Sequence, residues 1–170
     1  VSDTSVYPAN DRSSAITQPS SPSSQLMNTI GAASYNTVGQ WASYKFTVSK
    51  TGWYTMTMRY RQNLLDGLFV SRAIKLHSSD GEYGLADGTP TVPFREAYCT
   101  RFNYSKNWEV QAIGAEIGGE MTPFQFYFKE GVEYTVYYEV SLGDLASIIK
   151  DVEDSLDAIN NCYLNIMKLT

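Results

Sequence analysis

Histidine occurs once in the 170 residues, at His77, and cysteine twice, at Cys99 and Cys162. A single imidazole, with no G-x-S-x-G and no H-E-x-x-H, leaves triad and zinc-hydrolase chemistry without its parts. The two cysteines fit no C-x-x-C metal or redox pattern and are read as isolated thiols. Only 18% of residues are charged, and the 13 lysines and arginines are scattered over a chain of net charge −5. Nucleic acid and anionic membranes are excluded as partners, because both are held by clustered cations. No apolar run approaches the roughly 18 residues of a membrane span, so no membrane insertion is expected, and no signal peptide is visible. The chain opens at Val1 without a methionine, which reads as a piece excised from something longer. A glycosidase pair could be drawn from the 18 acidic residues, but such hydrolases build their clefts on larger scaffolds. No enzyme is expected.

Aromatic residues, by contrast, make up 14% of the chain, and 13 of them are tyrosines. That surplus suits strands and flat ligand-binding surfaces. A chain of this length buries roughly 70% of the surface its unfolded form exposes, enough for a core without staples. It forms one domain, or one domain with an appendage.

The pattern changes twice along the chain. Residues 1–27 are rich in Ser, Pro, Asn and Asp, as in Gln18-Pro19-Ser20-Ser21-Pro22, and these compete with regular backbone pairing. The segment is either a linker or an ordered arm laid over a sheet. From Trp41 the period becomes two: Trp41, Ser43, Lys45 and Thr47 alternate with Ala42, Tyr44, Phe46 and Val48. This strand, the turn Ser49–Gly52 and a second strand Trp53–Tyr60 read as a hairpin. Phe69–Leu76 is a third strand. Shorter ones are predicted over Phe94–Phe102, Trp108–Ile113, Phe124–Phe128 and Tyr134–Val140. Short strands with no helices between them predict an antiparallel β-sandwich over residues 28–140. In its interior belong Phe46, Met56, Met58 and Trp41.

Residues 141–170 differ in kind. Leu142, Leu145, Ile149, Val152, Leu156, Ile159, Tyr163 and Ile166 recur in steps of three and four, a heptad stripe on a long helix. Ser141 with Asp144 reads as its capping box. One narrow apolar seam needs a cover: the sandwich, another domain, or a second copy.

Gly39-Gln40-Trp41-Ala42-Ser43-Tyr44-Lys45-Phe46, followed by Gly52-Trp53-Tyr54 and Arg59-Tyr60, resembles the signature of family 6 and family 35 carbohydrate-binding modules. Asn107-Trp108-Glu109-Val110 and Glu130-Gly131-Val132-Glu133-Tyr134 resemble later strands of the same modules. The resemblance spans roughly residues 28 to 140. With the terminal helix, the chain also resembles, more loosely, a module of large extracellular solute-binding lipoproteins of bacterial sugar transporters. What the resemblance implies is a galactose-binding-like jelly roll that binds a polysaccharide or oligosaccharide without catalysis. It would work at a bacterial cell surface or in a secreted multimodular protein, beside adjacent domains of its parent. The alternative is a structural domain that docks through its helix and binds no sugar.

Such modules stack an aromatic ring on the apolar face of a pyranose and bond its hydroxyls with amides. The resemblance places the stacking ring at Trp108, beside Asn107; in a bland reading Trp108 is a core residue. Tyr35 in the Gly31–Gly39 loop is the opposing aromatic, and Gln62 and Asn63 are the polar readers. Trp53 and Tyr83 are the next aromatic platforms. Arg59 and Arg72 are expected to pair with carboxylates such as Glu96 or Glu139. The family's opening and closing strands carry its calcium ligands, and neither has a counterpart here, so no cofactor is expected. Asp80, Glu82 and Asp87 are the alternative place for calcium, and two hairpin turns explain them equally well.

Overall fold

The computed structural model describes residues 2–14, 16–64, 66–92, 99–143 and 145–168, and for Ala32 the backbone only. The strands are β1 (Pro8–Ala9), β2 (Thr29–Ile30), β3 (Trp41–Phe46), β4 (Gly52–Tyr54), β5 (Thr57–Tyr60), β6 (Phe69–Ser78), β7 (Cys99–Asn103), β8 (Glu109–Ala112), β9 (Gly114–Ile117), β10 (Glu120–Pro123), β11 (Phe126–Phe128) and β12 (Tyr134–Ser141). One helix, α1 (Leu145–Met167), follows them. The fold is β-sandwich-like, with strands paired antiparallel and a C-terminal helix, as the sequence pattern predicts.

One layer is the four-stranded sheet β3-β12-β6-β7. The other is built from short pairs, β4 with β11, β5 with β8, and β9 with β10. Alternation along each strand fills the space between them. Ile74 and Leu76 of β6 and Tyr134, Val136 and Tyr138 of β12 meet Phe126 and Phe128 of β11 and Ile113. Each side chain of this size contributes about 1.5–3 kcal/mol on burial. Phe46, Met56 and Met58 pack against the cluster as expected.

The predicted hairpin does not form. β3 lies beside β12, with Tyr134 opposite Phe46 and Glu139 opposite Trp41, while β4 pairs with β11 and β5 with β8. Period two reveals which face of a strand is buried, but not which strand lies alongside. Burial here favours the distant partner: the Phe46 ring stacks on Tyr134 with centroids 5.6 Å apart. Trp41 consequently belongs to the outer face of the sheet, half-buried and 5.4 Å from Tyr137, and is not a core residue.

Two glycines mark places where backbones approach closely. A Cβ at Gly114 would stand 2.2 Å from the Thr122 carbonyl oxygen, across the β9–β10 pair. Gly84, at φ +91°, lets the loop after β6 press on His77, whose ring a Cβ would meet at 2.6 Å.

The helix begins later than the capping-box reading places it. Ser141 closes β12, and its hydroxyl accepts the Gly143 N–H at 3.0 Å. A turn follows, in which Leu145 N–H bonds the Leu142 carbonyl at 3.2 Å. Asp144 and the predicted strand residues Phe94–Tyr98 lie outside the described residues. None of the described side chains of α1 is buried, so among the described residues nothing covers its apolar seam. Among the described residues no helix is long and apolar enough to cross a membrane.

The N-terminal residues lie along the sandwich. Asp3 N–H bonds the Trp41 carbonyl at 2.9 Å, and β1 pairs with β2. Cys99 and Cys162 are free thiols, with Cys99 Sγ 3.4 Å from the Ser141 hydroxyl.

Candidate functional site

Trp108 precedes β8, and two guanidinium groups from β5 and its end, Arg59 and Arg61, each lie over its ring at 5.3 Å from the ring centre. Cation–π attraction explains the arrangement, since both cations gain from the electron-rich face. The same arginines hold the N-terminal segment. Arg61 forms an ion pair with Asp11 and a 2.5 Å hydrogen bond to the Ser13 hydroxyl, and Arg59 bonds the Ser14 hydroxyl at 3.1 Å. The Trp108 Nε1–H is buried without a partner in hydrogen-bonding geometry. Burial pushes the Asp11 carboxyl up, but hydrogen bonds from Ser13, the Arg61 charge and the nearby Trp108 N–H outweigh it and hold the group low. Trp108 thus packs beneath the arm rather than presenting an open stacking face.

Tyr35 is turned inward as well. Its hydroxyl donates to the Tyr138 carbonyl, its ring carries the Arg72 guanidinium at 4.3 Å, and its own carbonyl accepts from Arg72 at 3.0 Å. Burial, opposed by Arg72, pushes its phenol up to about 12. Tyr35 is thus held by Arg72 and Tyr138, and Trp108 by Arg59 and Arg61, so each expected stacking ring is engaged by its own partners. Gln62 is 7% exposed. Its amide is spent within its own loop, donating to the Leu68 carbonyl at 3.2 Å and accepting the Leu64 N–H at 3.1 Å. Such an amide holds a loop and does not read hydroxyls. Asn63 is exposed beside it. Asn107 is exposed in the turn before Trp108, where its backbone brackets the Ser105 hydroxyl. Among the described residues neither Arg59 nor Arg72 is ion-paired with a carboxylate: Glu139 pairs with Lys75 at 2.6 Å, and the other expected partner, Glu96, lies outside the described residues.

The remaining two candidates converge on a residue that the pattern analysis passed over. Trp53 of β4 is 68% exposed and stands directly opposite Tyr127 of β11. Their ring centroids are 5.4 Å apart, with planes inclined at 61°. Both rings face outward because their neighbours Phe126 and Phe128 face the core. On the far side of β11, the Tyr83 hydroxyl bonds the Tyr127 carbonyl at 3.3 Å. Tyr83 itself is half-buried against the core, and that burial raises its phenol. Tyr83 therefore supports the ledge rather than forming its surface.

Next to the rings sits a charged cluster. Lys129 Nζ lies 2.5 Å from Glu82 and 3.3 Å from Asp80, and the hydrogen bonds to Glu82 and then Asp80 raise its pKa. The Asp80 carboxyl is held low, first by the Ser78 hydroxyl at 2.7 Å. Asp87 caps its own turn by accepting the Thr89 N–H at 2.9 Å. The carboxylates suggested for calcium are thus bound to an ammonium and to turn amides, and among the described residues no three His, Cys, Asp or Glu converge. Tyr127 had a signal in sequence, as the one outward position of Phe126-Tyr127-Phe128. Its pairing with β4 had none.

No family model, curated protein or solved structure matches this chain.

Proposed function

We propose that the chain is a non-catalytic glycan-binding module of a larger extracellular protein, and that its stacking surface is the Trp53–Tyr127 ledge. The observation that carries this reading is the large exposed face of Trp53 beside a second outward aromatic. Exposed rings of this kind lose free energy in water and recover it against the C–H face of a sugar. Glu82, ion-paired through one oxygen with the Lys129 that follows β11, supplies a carboxylate acceptor for hydroxyls. The sequence resemblance favours the same function, although the residue it nominates, Trp108, is engaged by the arm.

The test is native affinity electrophoresis against soluble polysaccharides, with Trp53→Ala and Trp108→Ala compared. Retardation lost in Trp53→Ala and kept in Trp108→Ala supports the ledge. The opposite pattern returns the site to Trp108, and no retardation by any polymer refutes the function.

One observation favours a second reading, docking without sugar binding: the described length of α1 exposes its apolar seam. Sedimentation equilibrium separates the forms of that reading. A dimer makes the seam a self-association surface, and a monomer leaves it for a different chain.

A further inference from the structure

We infer that the ledge selects neutral, soluble, single-chain glycans and rejects both acidic polymers and flat crystalline surfaces; this rests on the glycan-binding reading above. Two independent features of the ledge carry it.

The first is ring geometry. Trp53 and Tyr127 are inclined at 61°. A flat crystalline face offers coplanar sugars, and two planes at that angle cannot both lie against it. Stacking on one ring lifts the surface off the other. A single solvated chain rotates from one sugar to the next, so it can present differently turned C–H faces to the two rings. The β4–β11 pairing sets the two residues directly opposite each other, and the Tyr83 hydroxyl bonds the Tyr127 carbonyl.

The second is charge. Recognition of a uronate or a sulfate calls for a cation with donors to spare. The cation that follows β11, Lys129, is already ion-paired with Glu82 and Asp80. Asp80 and Glu82 thus set two carboxylates against the one ammonium of Lys129. This cluster is one part of a chain whose net charge is −5. Asp80 is fully engaged by Ser78, the Glu82 N–H and Lys129. The Glu82 Oε2 atom faces Lys129, which leaves Oε1 to accept a hydrogen bond from a neutral hydroxyl.

The experiment uses the full chain against three probe classes: mixed-linkage β-glucan, arabinoxylan and glucomannan as neutral soluble polymers; polygalacturonate and alginate as acidic ones; and microcrystalline cellulose as the flat surface. Titration calorimetry and depletion assays read the binding. Expected is binding to at least one neutral soluble polymer, weakened about tenfold or more by Trp53→Ala or Tyr127→Ala, with acidic polymers and cellulose left unbound. Glu82→Ala should weaken the neutral ligand several-fold without shifting the melting temperature. Trp53-dependent binding of polygalacturonate, alginate or cellulose overturns this inference while leaving the module a glycan binder. Binding of no polymer, or binding indifferent to Trp53 and Tyr127, overturns the underlying reading and this inference with it. Trp53 is exposed, so its truncation leaves a folded protein, and an unchanged melting curve verifies that.

Discussion

The carboxylate of Asp11 is ion-paired with the guanidinium of Arg61, and the pair closes the N-terminal arm over Trp108. The Asp11 side chain is only 8% exposed, so its charge relies on this partner and on Ser13. Removing the charge with Asp11→Asn should cost about 1–2 kcal/mol and speed tryptic cleavage at the exposed Arg12. The pH dependence has a definite sign. The folded Asp11 pKa is lowered, so its stabilisation is full above the ordinary aspartate value near about 4 and is lost as pH falls through the folded value. Arm release below about pH 4, followed by Trp108 fluorescence, should therefore be absent in Asp11→Asn. Equal cleavage rates in both proteins would mean the pair does not hold the arm.

How far the sequence is legible differs by element. β6 and β12 are readable because each carries its alternation over many residues, Ile74 and Leu76 in one and Tyr134 to Val140 in the other. The pairing of β3 with β12 was not readable, because alternation carries no address for a partner nearly a hundred residues away. Site residues fared differently again. Trp108 and Tyr35 read in sequence as rings able to stack, yet a neighbouring arginine satisfies each ring, and no spacing rule reveals that. Gln62 reads as a polar turn residue, and only its two bonds within the 62–68 loop show that its amide is already occupied.

Two tyrosine hydroxyls should respond very differently to deletion. Tyr134 is fully buried, and its oxygen accepts the Lys129 N–H at 2.8 Å. Tyr134→Phe strands that donor and should cost about 1–3 kcal/mol in denaturant unfolding. Tyr83 makes a longer 3.3 Å bond at the half-exposed edge of β11, where water can replace it. Tyr83→Phe should cost less than about 1 kcal/mol yet weaken glycan binding, because it loosens Tyr127. If both cost the same, burial is not what separates them.

Gly114 offers a steric test that is independent of any ligand. Its missing Cβ would lie 2.2 Å from the Thr122 oxygen and 2.8 Å from the Thr122 carbon, both backbone atoms that cannot rotate away. Gly114 also exchanges hydrogen bonds with the buried Thr100 hydroxyl at 3.1 and 3.2 Å. Gly114→Ala must therefore separate β9 from β10 or shift β7, at about 1–3 kcal/mol. The neighbouring Ala115→Gly removes no such contact and should cost less. A neutral Gly114→Ala would show that the β9–β10 pair moves freely.

Hydrogen exchange should divide the chain at Ser141. The amides of β12 are bonded on both sides, to β3 and β6, over a fully packed face, and they open only with the whole sandwich. The helix has no such support: its described side chains are all exposed, and most of a helix's stability in a protein comes from the tertiary packing it lacks here. Its amides should exchange orders of magnitude faster than those of Val136 or Tyr138. Ile159→Asp, on the seam, should then leave unfolding of the sandwich unchanged within about 0.5 kcal/mol. Strong protection of α1 that rises with protein concentration would identify a second copy as its cover, and Ile159→Asp would abolish it. Strong protection independent of concentration would mean that the sandwich itself takes up the seam in solution, and in that case Ile159→Asp would lower the melting temperature instead.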